Sequence, residues 1–178
     1  MAASSPWPLI HGEREALAAD LATLTDEQWA TASLCPGWSV RDVLGHMIAT
    51  AKMTQGAFFA NLARAGFRFH DMSANLIAAE ATAVPADGLT EFRQHMQDTT
   101  HPPGPVEAML GEAVVHGEDI RRPLGIKRGY PPAAVTRAAG SGPEVTGPAL
   151  SLLMAMTGRA AALDDLSGEG VPTLRSRM

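Results

Sequence analysis

Apolar residues recur along this chain at the three- and four-residue spacing of helices. Leu9, Ile10, Leu17, Leu21 and Leu24 form a first stripe, which predicts a helix from about Leu9 to Trp29 with a fresh, polar-capped start at Thr25–Gln28. Pro36-Gly37 then makes a turn. Ser39, with Asp42 three residues on, has the spacing of a capping box, and Trp38 and Val43 flank it as a hydrophobic staple. The helix this opens is predicted from Val40 to about Ala65, ending at Gly66. A third helical stretch lies between Ser73 and Met96, interrupted near Pro85–Gly88. His101-Pro-Pro-Gly-Pro105 breaks the chain again, and a fourth helix follows from Val106 to Arg122, stopped by Pro123. Four helices with short connections predict an all-α, up-and-down four-helix bundle over residues 1–124. Residues 125–148 are rich in Gly and Pro and read as a linker, with one short helix around Ala133–Ala139. Residues 149–178 hold a fifth helix, about Leu150–Leu163, and a Gly-rich tail.

Composition narrows the class. Of the 178 residues, 46% are apolar, enough for a core without disulfide staples. The net charge of −5 disfavours nucleic acid as a partner, because phosphate neutralisation needs a basic surface. The single cysteine, Cys35, has no internal disulfide partner and fits a reducing cytoplasm. No stretch approaches the ~18 apolar residues of a membrane span. The N-terminus lacks a basic segment followed by an apolar one, so no secretory signal is read there. The expectation is a cytoplasmic protein with neither membrane nor nucleic-acid partner.

The chemistry concentrates on the fourth helix. Met109, Ala113, His116 and Ile120 follow one another at four, three and four residues, and Glu112 shares their face. A carboxylate on the apolar side of a bundle helix is costly without a partner. A metal ion would satisfy both Glu112 and His116, one turn apart. Asp119, three residues further, is placed to accept from a ligand imidazole. A Glu–His pair at this spacing is equally an ordinary solvated face, so a third ligand is required. His46, among Val43, Met47 and Met53, is the best candidate, and the alternative for it is a core histidine bonded to a backbone carbonyl. His11, His70, His95 and His101 are weaker ligand candidates. Cys35 reads either as a thiol activated beside a helix start or, preferably, as a small packing residue.

Three segments carry a resemblance. Leu34–His46 (LCPGWSVRDVLGH), Gly111–Arg121 (GEAVVHGEDIR) and Met156–Gly168 (MTGRAAALDDLSG) resemble, in order, the motifs of the mycothiol-dependent maleylpyruvate isomerase family, part of the wider DinB-like metal-binding bundles. The resemblance implies a four-helix bundle holding a divalent metal, usually zinc, with nickel and iron also suited to the donor set. It places the ligands on His46, Glu112 and His116, and gives Arg159 a role in activity or in binding an anionic substrate. It implies mycothiol, the small thiol of actinobacteria, as cosubstrate, and an isomerase or S-transferase acting on an electrophilic or anionic small molecule. Two other functions remain open on the same bundle. One is a metal-dependent hydrolase with Asp119 as base, the other a non-catalytic metal-binding interaction protein. Related bundles often pair, so a homodimer is a further expectation. The chain departs from the family between Val135 and Gly142, where relatives carry a longer segment.

Overall fold

The computed structural model describes residues 5–81, 84–135 and 143–178. It divides into two compact units, Met1–Lys127 and Arg128–Met178. The first unit contains α1 (Trp7–Leu21), α2 (Asp26–Trp29), α3 (Val40–Lys52), α4 (Gln55–Arg64), α5 (Phe69–Glu80), α6 (Pro85–His95) and α7 (Glu107–Arg121). The second contains α8 (Pro132–Val135), α9 (Ala149–Met156), a 3-10 turn over Ala160–Asp165 and α10 (Val171–Arg175). Among the described residues there is no β-strand; two isolated bridges, Ala32 with Ser39 and Thr146 with Ser167, pin loops. No helix of the described residues is long and apolar enough to cross a membrane.

The core of the first unit lies between α1, α3, α6 and α7. Leu17 and Leu21 of α1, Val43, Leu44, Met47 and Ile48 of α3, Phe92 of α6 and Ile120 of α7 are all buried there, with Trp29 of α2 beneath them. Each such side chain contributes roughly 1.5–3 kcal/mol by leaving water. Helix α3 is the hub, packing on α5, α6 and α7, while α1 packs on α6 and α7. Helix α5 and its C-terminal end come close to α3 at Gly45, where a Cβ would stand 3.1 Å from Ala81 N and 3.3 Å from Ile77 O, tighter than ordinary contact.

The start of α3 has the predicted cap. Ser39 Oγ accepts from Asp42 N at 3.3 Å, and Asp42 Oδ2 accepts from Ser39 N at 2.8 Å. The predicted continuous helix from Val40 to Ala65 is instead two. Met53 is extended, and Thr54 caps a new helix by accepting from Ala57 N at 3.1 Å. A threonine hydroxyl offers the backbone an alternative to the helical ladder, and here it redirects the chain. The stretch predicted from Ser73 to Met96 starts earlier, at Phe69, and is divided into α5 and α6.

In the second unit the helix predicted over 150–163 ends at Met156. Thr157 and Gly158 turn the chain, with Gly158 at φ +87°, so Arg159 precedes the 3-10 turn rather than lying on a helix. The short helix expected at 133–139 is described only as far as Val135. Its remainder, and the shortened segment at 138–142, lie outside the described residues.

Candidate metal centre

The site forms where α3 meets α7. The two helices are crossed by two rungs. His46 and His116 form one, their ring centroids 4.8 Å apart and their planes at 73°. Thr50 and Glu112, each one turn along from its histidine, form the other: Thr50 Oγ1 donates to Glu112 Oε1. His46 and Thr50, like Glu112 and His116, share a face because helical neighbours recur at four residues. The order of the rungs makes α3 and α7 antiparallel. Arg14 of α1 faces Glu112, and Arg121 of α7 bonds Asp20 of α1, so α7 runs parallel to α1. The long path through α4, α5 and α6 supplies the crossover that two parallel neighbours need.

A third element closes one side. Residues 31–39 fold into a knot between α2 and α3, in which Ser33 Oγ donates to Trp38 O at 2.8 Å and accepts from Cys35 N at 3.1 Å. Leu34 N donates to Asp119 O at 3.2 Å, docking the knot on α7. Trp38 then lies 5.5 Å from the His46 ring and 6.5 Å from the His116 ring, centroid to centroid. Gly37 allows the turn at φ +78°.

Asp119 is fully buried, and its Oδ2 stands 2.9 Å from His116 Nδ1. The same oxygen accepts from Cys35 Sγ at 3.1 Å. Beside an ionised Asp119, Nδ1 of His116 is the donor of their bond, the arrangement by which a carboxylate orients a metal-ligating imidazole. Among the described residues, Cys35, His116 and Asp119 are the group whose donor atoms all lie within 4.8 Å of one another and could hold a cation, and neither His46 nor Glu112 belongs to it. A hydrogen-bonded chain from thiol to carboxylate to imidazole accounts for these distances with no ion.

Glu112 provides the test of fit. Its Oε2 is buried and has no hydrogen-bond partner among the described residues, and the nearest cation, Arg14 Nη2, is 3.9 Å away. Arg14 is itself fully buried, and its Nε, Nη1 and Nη2 have no hydrogen-bond partner among the described residues. Burial lowers its pKa from the usual guanidinium range, while the charges of Glu112 and Asp98 oppose that fall. A buried carboxylate oxygen without a hydrogen bond, beside two facing imidazoles, is a donor set that suits a divalent ion.

Three participants escape the motif reading. Thr50 is signalled only by its place four residues after His46. Arg14 is signalled by a charge falling four residues after Ile10 and three before Leu17, on the apolar stripe of α1. Cys35 packs against the core, as its preferred reading has it, and is also bonded to Asp119. Of the other histidines, His95 bonds Asp98 at 2.7 Å and His101 Nδ1 lies 2.8 Å from Pro102 O. Arg159 belongs to the second unit, where its Nη1 donates to Thr157 O at 2.6 Å.

No curated protein and no solved structure is a significant match to this chain. A family model does match, over residues 10–101, a span that includes Arg14, Cys35 and His46 and ends before Glu112. Because that match covers more than half of the sequence, the chain belongs to the family described as the mycothiol maleylpyruvate isomerase N-terminal domain.

Proposed function

We propose that this protein is a metal-dependent, thiol-using isomerase or S-transferase. In this reading His46 and His116 provide imidazole nitrogens and Glu112 a carboxylate oxygen to one divalent ion, zinc first among the candidates. The observation that carries it is the buried, unbonded Oε2 of Glu112 one rung from the paired imidazoles. Three protein ligands leave a coordination position open, the pattern of catalytic zinc. An ion held there would lower the pKa of a small thiol and so supply a thiolate at neutral pH.

The chain's own groups then have defined tasks. Asp119 keeps the proton of His116 on Nδ1. Thr50 holds one Glu112 oxygen and thereby aims the other. Trp38 covers the two imidazoles and limits water. The family resemblance gives Arg159, which lies in the second unit, a role in binding an anionic group. The chemistry is redox-neutral. Thiol sulfur bonds to an electrophilic carbon, the thiol proton leaves to solvent, and either a leaving group departs or the sulfur is later expelled to return an isomerised double bond. Mycothiol is the thiol that membership of the family points to.

Metal content and thiol dependence test this together. Elemental analysis of protein purified with His46→Ala, Glu112→Gln or His116→Ala should show zinc falling from near one equivalent to near zero. Cobalt-substituted protein should change its visible absorption on adding a small thiol. A change on adding hydroxide but none on adding thiol would favour the hydrolase on the same bundle. Zinc retained in all three variants would overturn the assignment.

A further inference from the structure

Beside His46 the first unit has a cleft with an apolar lining. Its walls are Ala49, Thr50 and Met53 from α3 and its end, Phe58 from α4, and Phe69, Met72 and Leu76 from α5. Thr50 is already bonded to Glu112, and the remaining polar groups at the wall are the His46 ring and the Ser73 hydroxyl. No charged side chain lines it. Its empty space, open mouth included, is about 420 Å³, within the ordinary range for small-molecule pockets. The cleft therefore seats a short alkyl chain or one aromatic ring.

The outer wall is thinly held. Helix α4 has no buried residue, and of the helices it packs mainly on α5. Phe58 stands 5.5 Å from Phe59 and 6.5 Å from Phe69, ring to ring, while Phe59 and Phe69 are more than half exposed. Phe67, between α4 and α5, has φ +60°, a conformation costly for an aromatic residue. Phe58 and Phe69 line the cleft while Phe69 stays more than half exposed, an apolar surface suited to a ligand.

We infer that this cleft receives an apolar group, aryl or short alkyl, of the small molecule that reacts beside His46. The inference rests on the metal–thiol reading only for the claim that the molecule is an electrophile. It divides recognition in two: the apolar group lies between α3, α4 and α5, and any anionic group is held elsewhere. A substrate carrying carboxylates at both ends has no polar partner in this cleft beyond one hydroxyl and one imidazole, and loses hydration there without return.

The test uses full-length protein, with and without zinc, titrated with para-fluorotoluene and separately with fluoroacetate, followed by fluorine NMR. The expected result is saturable binding of para-fluorotoluene, at least about tenfold tighter than fluoroacetate. Ser73→Phe fills the cleft and Leu76→Gln makes its wall polar; each should weaken binding about tenfold while thermal melting reports the fold. If one variant does not fold, the other decides. Binding unchanged in a folded variant, or fluoroacetate binding as well as the aromatic probe, overturns the inference. Probe binding in a protein that takes up no zinc and conjugates no thiol overturns the metal–thiol reading and leaves the cleft assignment standing. Zinc uptake without probe binding does the reverse.

Discussion

Two buried arginines tie α1 to α7, and they are paired differently. Arg121 of α7 is fully buried, and its Nε donates to Asp20 Oδ2 of α1 at 2.7 Å. Arg14 of α1 is equally buried, yet its closest carboxylate oxygen stands 3.9 Å away and lacks any hydrogen bond. The same interface thus holds one made ion pair and one loose one. A buried charge must be paired and hydrogen-bonded to be tolerated. The made pair meets that condition and is structural. The loose pair borders the paired imidazoles, and the free energy it forgoes is the mark of a site shaped for something other than stability alone.

The largest effect expected is at the made pair. Arg121→Met breaks a short charged hydrogen bond between α1 and α7 and leaves the part-exposed Asp20 without its partner, so unfolding in urea should show a loss of roughly 3 kcal/mol. Next comes the metal. If Glu112 is a ligand, zinc at about a hundred times its Kd stabilises the fold by about 2.7 kcal/mol, and Glu112→Gln abolishes that gain. A shift in wild-type protein that survives in the Glu112→Gln variant would locate the ion elsewhere. Arg14→Met in metal-free protein should cost less than about 2 kcal/mol, because it forfeits no hydrogen bond while Glu112 keeps the one from Thr50. Equal losses at Arg14 and Arg121 would make the two arginines the same kind of pair and remove the contrast.

Much of this contrast was legible beforehand, though unevenly. The α3 start was readable to the residue, since the Ser39–Asp42 box and the Trp38–Val43 pairing depend on local chemistry alone. The facing of Glu112 and His116 followed from helical spacing, and the family motifs carried His46 to the same place. What escaped depends on non-local geometry. A break at Met53–Thr54 has no Gly or Pro to announce it, because the Thr54 cap competes with a continuous helix by a small margin. That break creates α4 and with it the outer wall of the apolar cleft. Arg14 could be recognised as a charge on an apolar stripe, but whether it meets Glu112 at bonding distance or short of it is decided by the packing of α1 on α7. Cys35 joins Asp119 across 84 positions of sequence, a distance over which no local pattern speaks. In the second unit, Gly158 at φ +87° takes Arg159 off the helix predicted over Leu150–Leu163.

The smallest effect sharpens the comparison from the surface side. Lys52, at the end of α3, bonds Glu91 of α6 at 2.7 Å and Glu80 of α5 at 3.0 Å, so it is as fully paired as any cation in the described residues. Its side chain and that of Glu91 remain about one-third exposed, however. Water already solvates such charges, and pairing them adds less than about 1 kcal/mol. The pH dependence follows from the two partners. The hydrogen bond from Lys52 holds the Glu91 carboxyl below its usual pKa, so that part of the stabilisation is present above the unfolded value near 4.5 and is lost as pH falls through the lower folded value. For Lys52, burial is the largest single influence and lowers the pKa, but the bonds to Glu91 and Glu80 outweigh it and the net direction is up. Its contribution is therefore complete below the unfolded value of 10.5 and disappears as pH rises through the higher folded one. Lys52→Met should thus melt slightly below wild type across the neutral range, with the two curves converging at both extremes. A loss at neutral pH as large as that of Arg121→Met would show that completeness of pairing, rather than burial, sets the energy of these ion pairs, and the reading of Arg14 would have to be rebuilt on that ground.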